Sequence, residues 1–101
     1  MTVLVWRVEA LQDFETAFHW YDEQRDGLGS EFARDVDIQA AALLRFPRAH
    51  PVVFQDARRT ILKRFPFGVY YLIEEAQVVV LAVLHMKRDV LALLATRHGG
   101  S

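Results

Sequence analysis

Cysteine is absent from this 101-residue chain, which excludes a disulfide framework and a thiolate metal site. Long apolar runs are missing too. The longest, Val78–Leu84, has the length of a strand and falls far short of the roughly 20 residues of a membrane-spanning helix. The start, Thr2-Val3-Leu4-Val5-Trp6, lacks the charged-then-apolar pattern of a signal peptide, so a cytoplasmic protein is expected. There is no Gly-rich phosphate loop, no CxxC pair and no HExxH motif. The histidines, His19, His50, His85 and His98, form no ligand-spaced cluster, and the serines are confined to Ser30 and the terminal Ser101. Neither a metal site, a cofactor site nor a triad hydrolase is expected. A net charge of −1 also argues against a protein that binds nucleic acid by bulk electrostatics.

What is present is the balance of one folded domain, with 52% hydrophobic and 25% charged residues. We assign the domain to residues 1–98 and read Gly99-Gly100-Ser101 as a frayed tail. Charge is unevenly distributed. Acids predominate from Glu9 to Asp37, whereas Asp56 is the only acid between Arg45 and Arg64. A locally basic surface on a near-neutral body follows.

Thr2–Val8 reads as a first strand, and Asp13 as the cap of the helix after it. Phe14, Ala17, Phe18 and Tyr21 follow the spacing of one buried helical face. Residues 25–30 (Arg-Asp-Gly-Leu-Gly-Ser) break the pattern. A second helix is predicted from Ser30 to Arg45, with Phe32, Val36, Ala40, Leu43 and Leu44 inward and Pro47 and Pro51 beyond its end. So short a connection implies an antiparallel helical hairpin. Three strands should follow: Arg58–Phe65, Phe67–Glu74 and Gln77–His85. The four-residue polar link Glu74-Glu75-Ala76-Gln77 between the last two favours a hairpin. The final strand is apolar on both faces and so belongs inside the sheet. Val90–Ala95 would add a helical turn or a short strand. The fold class is α+β, a strand, a helical hairpin and a three-stranded antiparallel sheet (β-α-α-β-β-β) with a short extension. One hairpin covers one face of a sheet; the other face should remain apolar and partly exposed, as partner sites do.

Chemistry, if any, falls to the cations Arg58, Arg59, Lys63, Arg64, Lys87 and Arg88, with His85 and the tyrosines Tyr70 and Tyr71 between them. Arginine and lysine can hold phosphates and stabilise a phosphodiester transition state, and histidine can move a proton. The same cations can equally be solvated strand ends that discourage edge-to-edge association. The tyrosines fit sheet packing better than chemistry.

The segment RRTILKRFPFGVYYLIEEAQVVVLAVLHMKRD, residues 58–89, resembles the hallmark region of RelE/ParE-type toxins of type II toxin–antitoxin (plasmid stabilisation) modules. The helix AFHWYDEQRDGLGSEFARDVD and the loop FPRAHPVV resemble the family as well, so the likeness runs from about Ala10 to Arg88. It implies a cognate antitoxin, whose disordered C-terminal segment folds across the toxin. It offers Arg58, Arg59, Lys63, Arg64, Lys87 and Arg88 as antitoxin- or target-binding residues. RelE-like members cut mRNA on the ribosome without metal, and the resemblance makes Lys63 and Arg88, with His85 as a substitute, the candidates for that work. Phe67-Gly68-Val69 stands where such enzymes carry an arginine, and Leu93-Leu94 near the place of a tyrosine. The chain therefore resembles more closely the ParE branch, which poisons DNA gyrase by protein–protein binding and inhibits growth. A ribosome-dependent endoribonuclease and a degenerate toxin that only binds its antitoxin are the alternatives.

Overall fold

The computed structural model describes residues 2–98; the tail 99–101 lies outside the described residues. In chain order the elements are β1 (Val3–Trp6), α1 (Val8–Gln24), α2 (Leu28–Arg45), β2 (Val52–Phe54), β3 (Ala57–Ile61), β4 (Phe67–Glu74), β5 (Gln77–His85) and α3 (Val90–Arg97). They build one five-stranded sheet in the order β1-β5-β4-β3-β2. β5 is an interior strand, as its two apolar faces require. The sheet is mixed: β1 lies parallel to β5, from Val3 opposite Gln77 to Trp6 opposite Val80, and the other pairs are antiparallel.

The helical hairpin forms as the periodicity predicts. Its turn is held by Asp22, whose carboxylate accepts the backbone N–H groups of Gly27 and Gly29. Gly27 has φ +89°, a left-handed conformation that glycine adopts without strain. At Gly29 a Cβ would come within 2.7 Å of the Phe18 carbonyl, so only glycine lets α2 approach α1 this closely. Phe32, Val36 and Leu43 of α2 pack with Ala10 and Ala17 of α1 against Val69, Tyr71, Val78, Val80 and Val83 of the sheet. The rings of Phe14, Tyr21, Phe65 and Phe67 surround Phe32 at centroid distances of 4.8–6.0 Å, counting the Tyr21 contacts with Phe65 and Phe67.

The first half differs from expectation at its element boundaries: β1 ends at Trp6, and α2 opens at Leu28, ahead of Ser30. α1 starts at Val8, with Arg7 at its N-terminal boundary and no side-chain cap. Asp13 is inside the helix, and its carboxylate has a tertiary task described below. The apolar spacing marks the buried face but not where the helix opens, because Val8 and Leu11 near its start lie exposed.

The second difference is larger. The far face of the sheet is not left open. Val90–Arg97 is a helix, capped by the Asp89 side chain accepting from the Ala92 N–H at 3.3 Å, and it lies over that face. Leu94 is fully buried there with Tyr70, Leu72, Val79, Leu81, Ala82, Leu84 and Ala57, and Val53 and Phe54 of β2 pack at the margin. A short segment suffices because the sheet is small. The strand β2 was also not foreseen: its three residues pair with β3 around Pro51, too short a run for alternation to register.

Strict alternation fails once within β5. The register shifts between Tyr70 and Tyr71, opposite Ala82 and Val80, leaving Leu81 without a cross-strand partner on β4. Leu81 and Ala82 consequently face α3 together, whereas Val80 and Val83 face the hairpin. This is a bulge in its usual sense, one extra residue on one strand with added local twist.

Candidate functional site

The cations that sequence brings together are dispersed by the fold. Arg58 and Arg59 sit opposite Tyr71 and Tyr70 respectively, so successive side chains point to opposite faces. The Arg58 guanidinium donates to the carbonyls of His50, at 2.7 Å, and Arg48, fastening the loop after α2 to the sheet. The buried Arg59 Nε has no hydrogen-bond partner among the described residues. The two side chains are half-buried and do not form one patch.

Lys63 and Arg64 occupy the β3–β4 connection beside α2. The buried carboxylate of Asp35 accepts the backbone N–H of both, at 3.3 and 2.8 Å. The Arg64 side chain pairs with Glu31 at 2.9 Å, and Glu31 also meets Arg25 at 3.0 Å. Hydrogen bonding from Arg25 holds the Glu31 carboxyl below its ordinary range against an opposing push from desolvation, and Arg64 adds a lesser lowering. Lys63 stays exposed and, among the described residues, its ammonium has no ion pair. A shallow groove of about 460 Å³ is lined by Arg34, Ile38, Lys63 and Arg64.

His85, Lys87 and Arg88 lie at the C-terminal end of β5. The His85 ring packs edge-on against Phe67 at 5.2 Å. Its Nδ1 accepts the Lys87 N–H at 3.0 Å, which leaves Nε2 as the N–H of the neutral ring. Arg88 and Lys87 are exposed and, among the described residues, make no side-chain ion pair. His85 and Arg88 line a groove of about 540 Å³ between α1 and the end of β5, with Asp13, Thr16, Ala17, Trp20, Tyr21, Phe67 and Val83. Its walls are mainly apolar, and Trp20 stands 55% exposed on the rim. Burial pushes the Tyr21 phenol up, so it is a neutral hydroxyl in the groove. Lys63 lines the other groove; the three candidate ribonuclease residues are not brought to one place.

The tyrosines of β4 are core. Tyr70 and Tyr71 are both fully buried, and the Tyr71 hydroxyl donates to the Pro47 carbonyl at 2.7 Å. At Gly68 a Cβ would meet the Tyr70 hydroxyl at 2.9 Å, so this position has no room for a longer side chain without moving a buried ring. Leu94 is fully buried, so that part of α3 carries packing and not a proton-transfer group. Among the described residues no group of His, Asp and Glu is placed to hold a metal ion. No helix among the described residues is long and apolar enough to cross a membrane.

What sequence reasoning missed is the groove's apolar wall and the pairing of Asp13, which lines it, with Arg97 of α3. Tyr21 appears in the sequence as one more core aromatic, and Asp13 as a cap. Nothing in the sequence couples Asp13 to Arg97, since the contact spans 84 positions and depends on α3 crossing the sheet.

Comparison with known proteins extends over most of this fold. The family model for the ParE toxin of the type II toxin–antitoxin system parDE matches residues 4–90. No curated protein sequence gives a significant match. Among solved structures, a chain of the chromosomal ParDE toxin–antitoxin system of P. aeruginosa superposes with a TM-score of 0.76 at 18% identity, over 84% of this chain and 96% of that one. A chain of the intact E. coli RelBE toxin–antitoxin complex superposes with a TM-score of 0.65 at 17% identity, over 87% of this chain and 100% of that one. At such identities the likeness is one of fold.

Proposed function

The chain belongs to the ParE toxins of type II toxin–antitoxin systems, and from that premise we propose that it acts by protein–protein binding on DNA gyrase and is neutralised by a cognate antitoxin. The observation that carries the non-enzymatic reading is the state of Phe67–Val69 and Leu94. Where the resemblance places an arginine and a tyrosine for mRNA cleavage, this chain has core packing and a glycine with no space for a side chain. A missing transition-state donor costs about 10²–10³-fold in rate, and a missing proton-transfer group about 10²–10⁴-fold.

The groove between α1 and β5 supports the partner's placement. An antitoxin segment would set apolar side chains against Trp20, Tyr21 and Phe67 and acids against Arg88 and Lys87. Lys63 and Arg64, in the β3–β4 connection, offer a second cationic margin beside α2. Charges at such a rim act mainly on association rate and orientation. The two superposed structures come from a ParDE system and a RelBE complex, which supports a protein partner for this chain as well. A cytoplasmic location accords with this role.

One observation favours a second reading, ribosome-dependent endoribonuclease: His85, Arg88 and the Tyr21 hydroxyl line one groove. The experiment is to add the purified chain to gyrase supercoiling reactions and to programmed ribosomes. Loss of supercoiling with accumulation of cleaved DNA is expected. Codon-dependent mRNA cutting that disappears with Arg88→Ala would replace the first reading by the second. Inactivity in both assays, with antitoxin binding intact, would mark a toxin fold retained for binding alone.

A further inference from the structure

β1 is shorter than the strand it pairs with. Its last bond to β5 is the Arg7 N–H donating to the Val80 carbonyl at 3.0 Å, after which the chain turns into α1. β5 continues to His85. From Leu81 onward no strand among the described residues lies beside its β1-side edge, although β5 is an interior strand by position. Residues two apart on a strand aim their backbone groups at the same edge. The bulge at Leu81 resets that alternation after Val80, so the open row is built from the Leu81 carbonyl, Val83 and His85.

Two side chains occupy this row. The Asp13 carboxylate, from α1 on one face of the sheet, accepts the Val83 N–H at 3.0 Å. The Arg97 guanidinium, from α3 on the other face, donates to the Leu81 carbonyl at 3.2 Å. The two then pair with each other at 2.5 and 3.1 Å, with both side chains 15% exposed. The pair reaches round the strand edge from opposite faces and takes one donor and one acceptor that a neighbouring strand would otherwise take. It sits at the bulge, where Leu81 is the extra residue. Arg7 extends the arrangement by donating to the Arg97 carbonyl at 3.1 Å. Past the pair, the groove beside Val83 and His85 leaves space along the same edge.

We infer that the Asp13–Arg97 pair is a guard on the open edge of β5, which keeps it from pairing with the same edge of a second copy of this chain. The argument for a second copy is geometric. Antiparallel pairing places each N–H opposite a C=O of an identical strand running the other way, so this edge is complementary to itself about a two-fold axis. Unpaired edges are templates for association, and charged side chains with a bulge are the usual protection. This reading does not rest on the toxin's target, and the edge borders the groove proposed for the antitoxin.

The test is sedimentation velocity over a concentration series on the full chain. Wild type should stay monomeric where Arg97→Ala, and the milder Asp13→Asn, self-associate roughly tenfold or more tightly, the scale expected when a few ladder bonds become available. Adding His85→Pro to Arg97→Ala removes an edge N–H that no β4 bond uses, and should restore the monomer. Leu94→Ala loosens α3 while leaving both members of the pair, and should remain monomeric. Three results would overturn the proposal: monomeric Arg97→Ala and Asp13→Asn proteins, association that survives His85→Pro, or equal association of Leu94→Ala, which would trace it to the uncovered face beneath α3.

Discussion

Asp35 holds Arg64 in place by its backbone: the carboxylate on α2 accepts the Arg64 N–H at 2.8 Å, across 29 positions of sequence. The same carboxylate takes the Lys63 N–H, so one buried acid sets the path of the β3–β4 connection and presents two cations to solvent. Asp35 is 5% exposed and sits one helical turn from Glu31, which fixes the Arg64 guanidinium. The hairpin thereby determines which way the basic end of the sheet faces.

Asp35→Ala should therefore act twice. Two partly buried N–H groups lose their acceptor, and each such loss costs about 1–3 kcal/mol. Chemical denaturation should show a lowered midpoint. The β3–β4 connection should also gain amide exchange, while the amides of β5 stay protected. Exchange rates unchanged at Lys63 and Arg64 would disprove the restraint.

The two phenylalanines that sequence treats alike should separate. Phe32 is fully buried among aromatic rings, so Phe32→Ala should cost about 3–5 kcal/mol. Phe18 is only partly buried, with its carbonyl side against Gly29, and Phe18→Ala should cost clearly less. Unfolding free energies of the two variants decide the matter; near-equal losses would contradict the burial.

Helical periodicity identified α1 and α2, and β-rich runs identified β4 and β5, because each element shows its burial in its own spacing. Phe14, Ala17, Tyr21, Phe32, Val36 and Leu43 all fall where that spacing put them. The cover over the far face was not visible in this way. Leu94 is the only fully buried residue of α3, and one residue has no period. The candidate site was legible as a set of residue types and not as a place. Arg58 and Arg59 are adjacent in sequence yet lie on opposite faces. Lys63 and Arg88 belong to different grooves, and the polar contacts of Asp13 and Asp35 depend on folds of the chain many residues long.

Tyr71 gives the structure an alkaline signature. Its hydroxyl is buried against Pro47, and burial, opposed in part by the Arg58 charge, pushes its pKa up to about 12. Below pH of about 10 the phenol is neutral in folded and unfolded chains alike. Above that the unfolded chain ionises first, so the stability contributed by the neutral buried phenol is lost as pH rises from about 10 through about 12. Tyr71→Phe should cost about 0.5–1.5 kcal/mol at neutral pH through the lost hydrogen bond. The gap to wild type should then narrow across the alkaline range. A constant difference from pH 8 to 12 in parallel denaturation series would show that Tyr71 does not titrate with folding.

Charge reversal should sort the cations by what they hold. Arg58 donates to two backbone carbonyls, so Arg58→Glu removes both bonds and places an acid beside the same carbonyls. Its main effect should be on stability, at about 1.5–3 kcal/mol for hydrogen bonds made by a charged group. Lys87 and Arg88 are exposed, and their side chains make no ion pair or hydrogen bond among the described residues; surface substitutions of that kind change stability by about 0.5 kcal/mol or less. Lys87→Glu with Arg88→Glu should leave the melting temperature near wild type and weaken antitoxin binding. The weakening should come mainly from slower association and fade as salt screens the rim. Titrations at low and high ionic strength, with melting curves on the same samples, separate the two classes. Undiminished affinity of the double variant at low salt would remove the β5 end from the partner surface and leave the α2 margin, with Lys63 and Arg64, as the surface to reverse next.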